Sequence, residues 1–169
     1  MRAVPSPRAL RRLMALALLG AASPTAPIDG ARAQAAGPFD GLQGSWAGGG
    51  SVRLSNGAVE RWRCQATYAG GGDTLNQRLR CASDNDSFDF RIELEDHGGA
   101  IVGNWNEAAH QARGGISGRA SKGLIQASVR GQAFSASVTV ATRGAEQSVE
   151  IRAQGGGLST ASIVLRRER

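Results

Sequence analysis

The side chains able to do acid, base or metal chemistry are few. His97 falls in Asp96-His97-Gly98-Gly99, which reads as a turn, and His110 falls in the loop segment Asn106-Glu107-Ala108-Ala109-His110-Gln111-Ala112. Both are read as solvent-exposed loop histidines, so no haem, metal or other cofactor is assigned. Glu107 and His110 are close in sequence, but a carboxylate and an imidazole with no nucleophile do not make a catalytic trio. The acidic run Ser83-Asp84-Asn85-Asp86-Ser87-Phe88-Asp89 lacks the alternating acidic spacing and the distant bidentate Glu of a calcium loop, and reads as a polar turn. No Gly-x-Ser-x-Gly elbow, phosphate loop or His-Glu-x-x-His pair occurs. The expectation from these residues is a protein that is not an enzyme. The side chains left to recognise a ligand are aromatic: Trp46, Trp62, Tyr68, Phe90 and Trp105.

Those aromatics must be positioned by strands. From Trp46 onward, side chains alternate with a period of two, the mark of a strand with one buried face. In Phe88–Glu95, Phe88, Phe90, Ile92 and Leu94 face one way, and Asp89, Arg91, Glu93 and Glu95 the other. The same pattern turns Ile125, Ala127 and Val129 inward, then Phe134, Ala136, Val138 and Val140, then Val149, Ile151 and Ala153, then Ala161, Ile163 and Leu165. Turn residues fix trial registers. A loop at Gly71–Thr74 sets Cys64 opposite Cys81 and Ala66 opposite Leu79, and one at Asp96–Gly99 sets Leu94 opposite Ile101 and Phe90 opposite Trp105. Two-residue turns at Gly131-Gln132 and Arg143-Gly144 set Val129 opposite Phe134 and Val138 opposite Val149.

Strands are expected over 43–54, 58–68, 74–82, 87–96, 99–107, 112–119, 123–130, 133–142, 146–153 and 158–167. The fold class is all-β: an antiparallel up-and-down meander that buries its apolar face by closing into a barrel of 8–10 strands. A two-layer β-sandwich would satisfy the same periodicity. Inward positions divide into an aromatic half (Trp46, Trp62, Tyr68, Phe88, Phe90, Trp105) and a small half (Gly114, Gly118, Ala127, Ala136, Ala161). Either the two interdigitate into a filled core or they leave a cavity.

Residues 1–33 combine Arg2, Arg8, Arg11 and Arg12 with the apolar run Leu13–Ala22 and the small-x-small sites Ala31/Ala33 and Ala33/Ala35, the pattern of a cleaved secretory signal. The run is far short of the roughly twenty residues a spanning helix needs. Residues 34–42 read as an N-terminal linker and 43–169 as the barrel domain, periplasmic or secreted. Without residues 1–33, which hold five Arg and one Asp, the net charge falls from +6 to +2. Acids and bases then alternate along the chain, and the dense basic face of a nucleic-acid binder is missing. An outer-membrane barrel is excluded by charged side chains at mid-strand on the outward faces and by the lack of aromatic girdles. The two cysteines, Cys64 and Cys81, are expected to form a disulfide in an oxidising compartment.

Gly44-x-Trp46 on the first strand of such a meander resembles the calycin superfamily, the lipocalins, avidins and their relatives. The resemblance covers nearly all of the chain after residue 33 and also extends to small exported proteins of Gram-negative bacteria that carry no assigned activity. It implies that Trp46 lies across the closed end of the barrel beneath a basic side chain from the last strand, Arg166 or Arg167. The Gly48-Gly49-Gly50 run after Trp46 departs from lipocalins. It is similar to the Trp-x-Gly-x-Gly of intracellular haem barrels, which require an inward histidine that this chain does not place. Two readings of function follow. One is a barrel binding a small apolar or amphipathic ligand, lined by Trp46, Trp62, Tyr68, Phe90 and Trp105. The other is a solid-cored module that engages a protein partner, as the periplasmic barrel inhibitors of secreted proteases do; those resemble this chain in signal, Gly-x-Trp start and single disulfide.

Overall fold

The structure is a computed structural model that describes residues 36–169. The predicted signal of residues 1–33 and the cleavage sites at Ala33 and Ala35 lie outside the described residues. Ten antiparallel strands follow one another: β1 (Gly44–Leu54), β2 (Val59–Gly71), β3 (Thr74–Ala82), β4 (Ser87–His97), β5 (Ala100–Glu107), β6 (Ala112–Ser121), β7 (Leu124–Gly131), β8 (Phe134–Arg143), β9 (Glu146–Gly155) and β10 (Leu158–Arg167). Each pairs with its sequence neighbours, and β1 pairs with β10, so the sheet is a closed up-and-down barrel and not a sandwich. Closure leaves no strand edge unpaired.

The alternation appears directly in β2, where Trp62, Cys64, Ala66 and Tyr68 are buried and the residues between them are exposed. Cys64 and Cys81 are register partners and form a disulfide, and Ala66 faces Leu79. Three other hairpins are shifted by two residues from the expected register. Leu94 faces Gly103 and Ile92 faces Trp105, because Gly98 and Gly99 both take positive φ (70° and 93°) and close a two-residue turn in place of a four-residue loop. Val129 faces Ala136, and Val138 faces Ile151. A shift of two preserves the inward and outward faces, so the pattern survives while the partners change.

The triple glycine of β1 has a steric cause. A Cβ at Gly48, Gly49 or Gly50 would lie 2.0, 2.3 and 1.9 Å from the carbonyl oxygens of Val164, Trp62 and Ser162. The neighbouring strands therefore approach β1 more closely than any side chain allows.

The two ends of the barrel differ. At one end lie the turns β2–β3, β4–β5, β6–β7 and β8–β9 together with the start of β1 and the end of β10. Residues 36–42, the described part of the expected 34–42 linker, fold across this end: Phe39 is 0% and Leu42 4% exposed. The Asp40 carboxylate accepts hydrogen bonds from the amides of Gly37 (2.8 Å) and Gly72 (2.7 Å), tying the segment to the β2–β3 turn. The other end carries the loops β1–β2, β3–β4, β5–β6, β7–β8 and β9–β10 and most of the remaining aromatic residues.

Candidate functional site

At the covered end, Trp46 is fully buried and donates from Nε1 to the Leu42 carbonyl (2.9 Å). The Arg167 guanidinium lies 4.4 Å from the Trp46 ring centroid, and its terminal nitrogens donate to the carbonyls of Gln43 and Gly41. The neighbouring Arg166 points the other way, to Glu146 at 2.9 Å on the surface. Alternation along β10 decides between the two arginines. Tyr68 meets Trp46 edge-on and donates to Gln147 Oε1 (2.6 Å), while Gln77 donates to the Tyr68 hydroxyl (3.0 Å) and Gln147 to Thr142 (3.0 Å). Burial pushes the Tyr68 hydroxyl well above its ordinary range, so the group is a neutral strut. Trp46 and Tyr68, two of the five expected lining residues, thus belong to the plug.

The other three, Trp62, Phe90 and Trp105, come together at the opposite end. They form a chain of ring contacts: Trp62 with Phe88 (5.1 Å between centroids), Phe88 with Phe90 (5.7 Å), Phe90 with Trp105 (6.0 Å) and Trp105 with Phe134 (5.2 Å). Strand order explains the cluster, since the start of β2, β4 and β8 and the end of β5 all reach this rim. Trp105 is seated by glycine: a Cβ at Gly114 would come within 2.8 Å of its Nε1, and one at Gly131 within 2.9 Å of its ring. Here the large and small halves do interdigitate. Beyond it, the inward side chains Phe88, Phe90, Ile92, Val129 and Ile151 pack against the core and are only partly buried.

Trp105 and Phe134 also line a cleft of about 560 Å³ with Glu107, His110, Gln111 and Arg113. Glu107 and His110 are the residues that sequence reasoning underrated. Glu107 ends β5 facing inward and is 3% exposed. Its carboxylate accepts hydrogen bonds from the amides of Asp89 (2.9 Å), Ala109 (3.0 Å) and His110 (2.6 Å), and its Oε2 lies 2.9 Å from His110 Nδ1. Burial opposes this charge, but the donors around it prevail and hold the carboxyl below the ordinary glutamate range. The His110 ring packs against Phe88 at 5.0 Å. It is the solvent-exposed loop histidine expected, but one tied to Glu107 and Phe88. His97, expected in a turn, is the last residue of β4, paired with Ala100 before the Gly98-Gly99 turn and 3.8 Å from Glu95. Nothing among the described residues groups three metal-ligating side chains.

No protein-family model matches the chain, and no curated protein matches it. Solved structures do. It is similar to Rv2717c from M. tuberculosis, with a TM-score of 0.59 and 17% identity over 76% of this chain and 93% of that one. It is also similar to the S-type phycobiliprotein lyase CPES from Guillardia theta, with a TM-score of 0.54 and 12% identity over 75% of this chain and 88% of that one. At these identities the likeness shows the fold alone, a closed antiparallel β-barrel. The expectation of a protein that is not an enzyme is corrected by the second neighbour: a phycobiliprotein lyase has a barrel of this fold, so the lack of a hydrolase or metal motif does not set the protein apart from enzymes.

Proposed function

We propose that this protein is a barrel that binds a small apolar or amphipathic ligand at its aromatic end, and that the signal pattern of residues 1–33 sends it to the periplasm or out of the cell. The observation that carries the reading is the contrast inside one closed sheet. One end is sealed by Phe39, Leu42 and Trp46, while the other presents partly exposed Phe88, Phe90 and Phe134 beside a 560 Å³ cleft. Aromatic faces left in contact with water are where an amphipathic molecule gains most by docking. One detail adds support. Trp62 Nε1 is buried and completes no hydrogen bond among the described residues, although the Glu60 carboxylate stands near it. An unpaired buried donor costs about 1–3 kcal/mol, which a ligand acceptor would offset.

A solid-cored module that engages a protein partner through its loops or residues 36–42 has less behind it, because Phe39 and Leu42 of that segment are buried against the barrel end. The test is native mass spectrometry of the chain purified gently from its source compartment, joined to titration with a solvatochromic naphthalene dye. The expected result is a processed chain beginning at Gln34 or Ala36 that carries or exchanges a small molecule and binds the dye, with binding lost in Trp105→Arg. A chain that carries nothing and leaves the dye in water overturns the ligand reading. An unprocessed N-terminus overturns the export reading.

A further inference from the structure

The β5–β6 loop is organised around a single buried charge, and that arrangement exceeds what holding a turn requires. Glu107, held as a carboxylate, is an acceptor only, so the 2.9 Å contact with His110 Nδ1 is made by the imidazole N–H. The lone-pair nitrogen of the ring is then Nε2. Asp86 Oδ1, from the β3–β4 turn, stands 3.5 Å from Nε2, beyond the reach of a firm N–H···O bond, so Nε2 is not committed within the protein. The loop also contains Gln111, whose φ of 54° is the positive value recorded for a non-glycine among the described residues. Such a backbone is kept only where its surroundings over-determine it. Phe88 supports one side of the imidazole, and His110 lines the same cleft as Trp105, Phe134 and Arg113.

Resting on the reading of this end as a ligand site, we infer that His110 Nε2 is its proton acceptor, that Glu107 is the positioning residue, and that the ligand is a planar hydroxyl compound of the phenol or enol class. The ring packs against Phe134 and Trp105, and its hydroxyl reaches Nε2. The O–H bond breaks, its electron pair stays on oxygen, and an N–H bond forms at Nε2. Glu107 from β5 and Asp86 from the β3–β4 turn face the imidazole, and Arg113 from β6 lies on the cleft wall. The step needs no further reactant. A carboxylate that fixes the tautomer of a histidine leaves the other ring nitrogen free to take a proton.

The experiment uses the oxidised chain with two probes of one skeleton, para-nitrophenol and para-nitroanisole, which lacks the proton. Wild type should bind both, and at a pH about two units below the free dye's midpoint bound nitrophenol should show about tenfold more phenolate absorbance than free dye, one unit of displaced ionisation. His110→Gln, at a half-exposed position, should abolish the phenolate gain per bound dye, read at saturating nitrophenol. Glu107→Gln should reduce the gain, and Glu107→Asp should restore part of it. Binding of both probes with no phenolate gain, or a gain that persists in His110→Gln, overturns the proton acceptor and leaves the ligand site standing. Failure of wild type to bind either probe overturns both.

Discussion

Both ends of the barrel are built from tryptophan and phenylalanine, but they treat those residues in opposite ways. At the sealed end each polar atom on an aromatic side chain is answered: Trp46 Nε1 by the Leu42 carbonyl, and the Tyr68 hydroxyl by Gln147 and Gln77. Arg167 lies over the Trp46 ring while gripping the segment that crosses it. At the other end Trp62 Nε1 completes no hydrogen bond among the described residues, Phe88, Phe90 and Phe134 keep part of their surface in water, and a carboxylate holds a histidine over a cleft. A fully satisfied cluster contributes stability, whereas an incompletely satisfied one gives up stability and leaves groups able to recognise something else. The same residue types therefore serve the fold at one end and stay partly uncommitted at the other.

The sharpest way to break this contrast is to truncate the plug. Phe39→Ala or Trp46→Ala removes a fully buried ring and should destabilise the chain by about 3–5 kcal/mol in denaturant unfolding, with dye affinity of the folded fraction unchanged. A loss of affinity instead would mean the ends are not separate. Next in size is the disulfide, which lies between them. The double variant Cys64→Ala/Cys81→Ala should cost about 3 kcal/mol for its separation of 17 residues, read the same way. At the aromatic end, Phe88→Ala should reverse the first pattern, costing about 1–2 kcal/mol because the ring is only partly buried and yet weakening dye binding markedly. Equal effects on stability and binding would erase the distinction.

Glu107 gives a pH handle on the same end. Its carboxyl titrates lower in the folded chain than in the unfolded one, so its contribution to stability is fully present above the ordinary value of about 4.5 and is lost as pH falls through the lower folded value. Urea midpoints should fall in that acid window in wild type and respond less in Glu107→Gln. The smallest expected difference separates two adjacent arginines. Arg167→Ala should cost about 1–2 kcal/mol through the lost cation–π contact and carbonyl bonds. Arg166→Ala removes only an exposed ion pair and should stay within about 0.5 kcal/mol, as thermal melts would show.

Much of this was legible along the chain. The strand limits, the meander and the opposition of Cys64 to Cys81 followed from alternation and turn residues. The hairpin partners were not, because Asp96–Gly99 and Gly98-Gly99 are equally good turn sequences, and only the pair of positive φ values chooses between them. Phe39 and Leu42 were hidden in a stretch too short to show any period. His110 looked like a loop residue because a loop is where it lies; the carboxylate and ring that hold it come from strands β5 and β4.

The amino-acid order by itself determined which side chains face inward, since a period of two is local and survives any even shift of register. It also determined that Trp46 opens the first strand and that a basic pair closes the last. Only the closed sheet decided which inward residues share an end, which arginine covers Trp46, and that Glu107, His110 and Phe88 form one cluster. Those are contacts between strands far apart in the chain, set by how the barrel closes and how its strands stagger, and no local pattern of side chains encodes that stagger.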